Sequence, residues 1–381
     1  MKYYLIAGER SGDIHTANLM RELKKKDENA SFRFWGGDEM QKIGGELVKH
    51  YKETAFMGFL EVLKNIRKIN QFLKECKKDI QTHQPNVLIL TDYAGFNLRI
   101  AKFVKKNLPH IKIIFYISPK IWAWNTKRVF TIKKIIDLML VILPFEEKFY
   151  QQYDCKVKYV GNPLLDELQK FQPDIDFKAK NNLLDKKIIA LLPGSRKQEV
   201  KHNLPVMLQT AQHFPDYQFV VAGVSNLEKD IYKILENYPN IPIITDQTYQ
   251  LLYIADGAIV ASGTATLETG LFHVPQVVIY KMSKITFEIA RRIVKLPYVS
   301  LLNWVGEKMI APELLQFYAT PLNIANYLQP LLPDNSAENS KNSLQNIQIK
   351  KDYQELTEKM GKAGASQKTA EAIWDFLNDK N

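Results

Sequence analysis

Short apolar runs alternate along this chain with longer stretches whose apolar positions recur every three or four residues. The runs at Tyr3–Ala7, Phe32–Trp35, Val87–Leu90, Lys112–Ile117, Leu138–Leu143 and Val157–Val160 are mostly continuous, the pattern of strands covered on both faces. The stretches His15–Lys25, Leu60–Ile80 and Leu98–Lys106 between them carry helical periodicity. A polar passage from Asp166 through Asn182 predicts a linker, and then the alternation restarts. Strands are expected at Ile188–Leu192, Phe219–Ala222, Ile241–Thr245, Ala258–Ala261 and Val277–Tyr280, and helices near Val200–His213, Leu227–Asn237 and Leu267–Phe272. A second polar stretch, residues 333–347, precedes a terminal helix expected over Tyr353–Leu377. Two βα-alternating segments predict an α/β protein with two doubly wound parallel sheets and right-handed crossovers.

Length agrees with two domains: 381 residues exceed the ~250–300 at which one core stops growing. With 46% hydrophobic and 24% charged residues, disordered and collagen-like classes are excluded. The two cysteines, Cys76 and Cys155, form no C-x-x-C pair, so reduced thiols in a cytoplasmic setting are expected. Met1 to Ala7 is too short for a signal peptide and is followed at once by Glu9, Arg10 and Asp13. The longest apolar run, Ile135 to Phe145, is interrupted by Asp137 and Pro144 and falls short of the ~20 residues of a spanning helix.

Charge is placed unevenly. Residues 1–165 hold 29 Lys/Arg against 17 Asp/Glu, a net of +12, whereas the remainder nets −1. No acidic residue lies between Asp92 and Asp137. The first half therefore expects an anionic neighbour: nucleic acid, an anionic lipid surface or a phosphorylated substrate.

Ligands of open α/β sheets bind beyond the carboxyl ends of the strands, and the unusual residue clusters all fall there. Gly8, Glu9, Arg10, Ser11, Gly12 and Asp13 follow the first strand. The glycines permit a tight turn before a helix N-terminus; in the structural alternative Asp13 simply caps that helix. Asp92, in a second strand-end cluster, either takes a proton from a substrate hydroxyl or caps the following helix. Ser118–Trp124 sets two tryptophans beside a lysine, for a cleft or for the core. Gly194, Ser195 and Arg196 offer backbone, hydroxyl and guanidinium donors suited to phosphate oxygens. Gly263, Thr264, Ala265 and Thr266 lead from a strand into a helix with the open N–H groups a diphosphate needs. Glu268, one turn on, is placed to accept ribose hydroxyls, or else to complete a capping box with Thr264. A helix opening at Phe56–Leu63 joins large apolar residues to a basic face, suiting a membrane interface or the core. No zinc-like histidine spacing, Walker A sequence or G-x-S-x-G elbow occurs. The D-x-D at Asp174–Asp176 follows no strand, so no metal site and no cofactor are expected.

With these residues laid out, the chain resembles the lipid-A-disaccharide synthase family. The likeness runs through AGERSGD (7–13), FMGFLEVL (56–63), Asp92 with Phe96 and Asn97, SPKIWAW (118–124), KRVF (127–130), LPFE (143–146), YVGNPLLD (159–166), LLPGSRKQEV (191–200), ASGTATLE (261–268) and YVSLLN (298–303). Arg10, Lys120 and Asn162 depart from the usual pattern. The resemblance implies a GT-B fold, two Rossmann-like domains facing a cleft. It assigns residues 1–165 with 350–381 to an N-terminal acceptor- and membrane-facing domain, and 166–349 to a C-terminal UDP-sugar-binding domain. The implied reaction is inverting and metal-independent: UDP-2,3-diacylglucosamine and 2,3-diacylglucosamine 1-phosphate give a β-1,6-linked disaccharide 1-phosphate and UDP.

In that reading Asp92 is the base and Ser11 with the Gly8–Gly12 turn positions sugars or phosphates, with Glu9 and Asp13 as reserve bases. Arg196, Ser195, Thr264 and Thr266 hold the diphosphate, Glu268 the ribose, and Asn303 lines the donor site. A homodimer, peripheral to the cytoplasmic face of the inner membrane, is also implied. Rival readings are another UDP-sugar GT-B enzyme (a lipid-linked glucosaminyltransferase or a UDP-sugar 2-epimerase), a non-catalytic UDP-sugar sensor, and a basic nucleic-acid binder. The last lacks any nucleic-acid motif, so no nucleic-acid partner is expected.

Overall fold

The computed structural model describes residues 1–54, 65–283, 287–288, 297–333 and 340–379. The expected interfacial stretch Phe56–Leu63 lies outside them. The chain divides into two compact units, Met1–Gln169 with Lys362–Asn381, and Lys170–Gly361.

The first unit is built on seven parallel strands: β1 (Lys2–Ala7), β2 (Ser31–Gly36), β3 (Glu46–His50), β4 (Val87–Thr91), β5 (Lys112–Tyr116), β6 (Leu138–Val141) and β7 (Lys158–Tyr159), in the order β3-β2-β1-β4-β5-β6-β7. Continuous apolar runs arise because alternate residues feed two different cores. Tyr4, Ile6, Leu88, Leu90, Ile113 and Phe115 pack on one face against helices α2 (Ile66–His83), α3 (Ala94–Asn107) and α4 (Arg128–Ile135). Tyr3, Leu5, Ala7, Ile89, Ile114 and Tyr116 pack on the other against α1 (Arg10–Lys26). The two cysteines are free and buried.

The second unit has six parallel strands: β8 (Lys187–Leu192), β9 (Tyr217–Gly223), β10 (Ile243–Thr245), β11 (Gly257–Ala261), β12 (Gln276–Tyr280) and β13 (Glu313–Leu315), in the order β10-β9-β8-β11-β12-β13. In both sheets the chain starts centrally, winds outward one way, then returns to wind the other. The switch lies between β1 and β4 in one unit and between β8 and β11 in the other.

Several elements differ from the sequence reading. The polar linker contains helix α5 (Pro163–Lys170) and a short turn whose Phe177 is fully buried. Edge strands β3 and β13 escaped the pattern, one being polar and the other three residues long. The stretch at Leu227–Asn237 winds as a 3₁₀ helix over Lys229–Asn237. The single terminal helix is two, α6 (Ser340–Met360) and α7 (Ala365–Asn378), broken where Gly361 and Gly364 take positive φ. Residues 350–361 lie in the second unit, because α6 buries Ile349, Tyr353, Leu356 and Met360, and Lys308 bridges Asp352 and Glu355. Among the described residues no helix is long and apolar enough to cross a membrane.

Helix α7 packs with α1 on one sheet face of the first unit, and its N-terminus is tied down by one carboxylate. Asp166 accepts the backbone N–H groups of Gly364 (2.6 Å), Ala365 (3.0 Å) and Ser366 (2.9 Å). Burial works to raise its pKa, but these bonds prevail and hold it below the usual carboxylate range. Asp166→Ala should cost about 2–3 kcal/mol in calorimetric unfolding, since three donors lose a charged acceptor. Because the folded-state pKa is depressed, this contribution is complete above the unfolded value of ~3.9 and is lost as pH falls through the folded value. The difference from wild type should therefore shrink in acid. A cost under about 0.5 kcal/mol at neutral pH would contradict the assignment.

Candidate functional site

Each switch point places two strand-end loops side by side. In the first unit Ala7 pairs with Thr91 and Thr91 with Tyr116, so the loops after β1, β4 and β5 emerge together. Gly8 leaves β1 under the ring of Tyr93, which a Cβ at position 8 would strike. The Tyr93 hydroxyl donates to Thr54 O (2.8 Å) and its ring stacks on Phe96. Burial, with the nearby Glu9 carboxylate adding, pushes the Tyr93 phenol up to about 12. Ser11 is exposed on the first turn of α1, and Gly12 beside it is buried against Ala7 and Thr91.

Asp92 sits at the apex. It and Tyr93 take φ of +44° and +46°, consecutive left-handed conformations in residues with side chains, and Ile117 at the neighbouring strand end has φ +64°. Each costs on the order of 1–3 kcal/mol and persists only where the surroundings enforce it. The Asp92 N–H donates to Tyr116 O (3.1 Å), and its carbonyl accepts the Asn97 side-chain amide (2.8 Å). Asp92 itself is half-buried.

Asp13 belongs elsewhere. Nearly fully buried, it accepts N–H bonds from Gly37 (2.6 Å), Glu39 (3.0 Å) and Met40 (3.3 Å), anchoring the start of the helix Asp38–Ile43. It does not cap α1, and its carboxylate is engaged by those three N–H groups. Burial raises its pKa against the lowering effect of those bonds.

The Ser118–Trp124 segment is fixed from within. Ser118 shares a 2.8 Å hydrogen bond with Tyr150, and the Trp122 indole donates to Glu146 (3.3 Å). Glu146 is fully buried and also accepts the N–H groups of Ile142 and Leu143; burial pushes it up to about 7. Trp122 is thus a core ring. Burial and the nearby Arg99 both depress the pKa of Arg128.

In the second unit Leu192 pairs with Val260, bringing the loops after β8 and β11 together. Gly194 turns with φ +116°, and any side chain there would collide with Glu199. That carboxylate accepts the Ser195 N–H (3.2 Å) and Arg196 Nη1 (2.9 Å), fixing the guanidinium, which is about half exposed, at the start of the helix Lys197–Thr210. Asn203, from the next turn, ties Pro193 O to the Lys281 N–H. After β11, Gly263 precedes the helix Thr264–Leu271 with open space where a Cβ would stand. Thr264 is exposed and Ala265 partly so, whereas Thr266 turns inward and bonds Gly263 O (2.8 Å). Glu268 is partly buried. Burial pushes it up to about 7, against a hydrogen bond from Tyr249 that lowers it, so it does not complete a capping box.

Asn303, expected to line a ligand site, is fully buried and spent within the fold. Its Oδ1 accepts Ile310 and Ala311 N–H, and its Nδ2 donates to Ala311 O and Glu313. With Ser300 and Glu313 it stitches the segment 299–313 together. Sequence reasoning gave no role to Glu199, Asn97 or Tyr249. The i, i+3 spacing of Arg196 and Glu199 was a usable signal, whereas nothing in the sequence marks Tyr249.

Among the described residues no three His, Cys, Asp or Glu side chains gather closely enough to hold a metal ion. The geometry therefore provides a strained elbow at Asp92 in one unit. In the other it provides two glycine turns at helix N-termini, one carrying a guanidinium paired with Glu199 and the other the exposed Thr264.

The family model described as lipid-A-disaccharide synthetase matches residues 3–368. Lipid-A-disaccharide synthases from Geobacter sulfurreducens and Coxiella burnetii are 33% and 36% identical, each alignment spanning 98% of this chain and 96% and 98% of the relative. Among solved structures, a Neisseria meningitidis UDP-GlcNAc 2-epimerase bound to UDP-GlcNAc aligns with TM-score 0.60 at 14% identity over 99% of both chains. The calicheamicin glycosyltransferase CalG4 aligns with TM-score 0.59 at 14% identity over 98% of both. At such identity the epimerase and CalG4 share the fold alone, the two-sheet GT-B architecture. Because the sequence likeness instead runs nearly end to end with the synthases, the chain belongs to the lipid-A-disaccharide synthase family.

Proposed function

We propose that this glycosyltransferase joins UDP-2,3-diacylglucosamine to 2,3-diacylglucosamine 1-phosphate, with inversion and without a metal ion. The acceptor 6-hydroxyl oxygen attacks the anomeric carbon as the bond from that carbon to the diphosphate breaks. Asp92 takes the hydroxyl proton and later releases it to solvent, while UDP departs with the bond's electron pair. One observation carries this reading: the strained elbow at Asp92 and the anion-suited loops at Gly194–Arg196 and Gly263–Thr266 each occupy the switch point of their own sheet.

The first unit handles the acceptor, with Gly8, Glu9, Ser11 and Gly12 beside Asp92. The second handles the donor. Charge developing on the departing diphosphate meets Arg196, the Ser195 hydroxyl and the N-terminus of the helix after Gly263, donors already in place before reaction. Glu268 takes the ribose hydroxyls. Asp13 and Asn303 act at one remove, as anchors of the loops that carry the site. A net of +12 over residues 1–165 favours an anionic inner-membrane surface, from which both acylated substrates would be drawn, and we extend the proposal to a peripheral homodimer there.

Three variants, with turnover followed in detergent, test the assignments. Asp92→Asn should lower kcat by about 10²–10⁴-fold in a folded protein, and turnover near wild type would remove Asp92 as base. Arg196→Ala should lower kcat/KM for the donor by about 10²-fold or more, with EDTA harmless to the wild type. Inhibition by EDTA that added divalent metal reverses would refute the metal-free scheme. For Glu268 the sign follows from a pKa raised to about 7. Above that pH the ionised carboxylate accepts two hydroxyls; below it the carboxyl is protonated and accepts less well. The donor KM should therefore rise as pH falls through about 7, and Glu268→Gln should abolish that dependence. A dependence that survives in the variant would reject the ribose role.

A further inference from the structure

The elbow at Asp92 is held by a side chain to which no role has been given. Asn97, fully buried in the first turn of α3, does not cap its own helix. Its Nδ2 reaches back to two successive carbonyls, Thr91 O (3.2 Å) and Asp92 O (2.8 Å), the residues between which the strand ends and the left-handed pair begins. Its Oδ1 is buried with no hydrogen-bond partner. A buried amide that leaves its acceptor unsatisfied while using both hydrogens on adjacent carbonyls is kept for its donors.

Other restraints act on the same turn from different sides. The Asp92 N–H is fixed by Tyr116 O, and Tyr93 O accepts the N–H groups of Phe96 and Asn97. The Tyr93 ring is pinned between Gly8 and Phe96. The Asn97 amide binds the carbonyls of both peptide planes that flank the Asp92 Cα, Thr91 O and Asp92 O. Those two planes set φ and ψ of Asp92 and with them the direction of its Cα–Cβ bond, so releasing them would let the carboxylate swing.

We infer that Asn97 is a positioning residue that locks the Asp92–Tyr93 elbow and thereby aims the Asp92 carboxylate at the acceptor hydroxyl. This rests on Asp92 being the base. Because Asn97 touches no substrate, its loss acts on kcat and not on binding, and only while the Asp92 carboxylate is present.

The experiment is a double-mutant cycle in the full-length enzyme: Asn97→Ala, Asn97→Ser, Asp92→Asn, and each Asn97 change combined with Asp92→Asn. Turnover of both acylated substrates in detergent gives kcat and each KM, with thermal melting to confirm folding. Asn97→Ala should lower kcat by about 10²-fold with both KM values within about twofold. Asn97→Ser, whose hydroxyl can serve one carbonyl, should fall between it and wild type. In the Asp92→Asn background either change should alter residual turnover by less than about twofold. If Asn97→Ala does not fold, Asn97→Ser carries the same comparison.

Folded Asn97 variants with wild-type kcat overturn the inference. So does an equal loss of kcat in both backgrounds, which makes Asn97 a general structural residue while leaving Asp92 as base. Near-wild-type turnover of Asp92→Asn alone is a separate result, visible in the single variant; it overturns the base and the inference with it.

Discussion

The reversal of strand order in a parallel sheet governs this molecule. Where neighbouring strands send their crossovers to opposite faces, no helix closes the space beyond their carboxyl ends, and that space is left to loops. Here the switch falls between β1 and β4, and again between β8 and β11. Every residue cluster with useful chemistry follows one of those four strands or the strand beside them. The sheets decide where chemistry can occur, and the loops decide which chemistry it is.

Loops so placed must be rigid to be useful, and rigidity comes from buried polar groups acting across sequence. Asp13 gathers three N–H groups from the turn at Gly37–Met40, Asp166 three from the start of α7, and Glu313 four donors, three of them from Val299 and Ser300. A carboxylate holding several N–H groups is a strong, directional clamp, because hydrogen bonds to a charged acceptor are shorter and stronger than neutral ones. Glu199 plays the same part for Ser195 and Arg196. The result is a division of labour in which these acidic residues organise the loops, while the proposed reaction leaves proton transfer to Asp92.

Much of this was legible in the sequence, for identifiable reasons. Central strands announce themselves because both faces are buried, so β1, β4, β8 and β11 read as unbroken apolar runs. Edge strands such as Glu46–His50 need only one covered face and vanish into polar pattern. Gly361 and Gly364 divide the terminal helix, and their meaning depends on φ values that composition does not convey. The site clusters stood out because glycine, serine and threonine at strand ends serve few structural purposes at once. What could not be read was which polar residue faces outward. Asp13 looks like a ligand in a local window and Asn303 by its place in the matched motif, and only partners 24 to 27 residues from Asp13 and 7 to 10 from Asn303 show that they are already engaged.

The central claim is that the second sheet's switch point holds the nucleotide diphosphate. Amide hydrogen exchange of the full-length protein with and without UDP tests it directly. UDP should slow exchange at residues 194–197 and 262–268, and leave 8–13 and 92–97 unchanged. Protection confined to the loops after β1 and β4, with none at 194–197 or 262–268, would contradict the account.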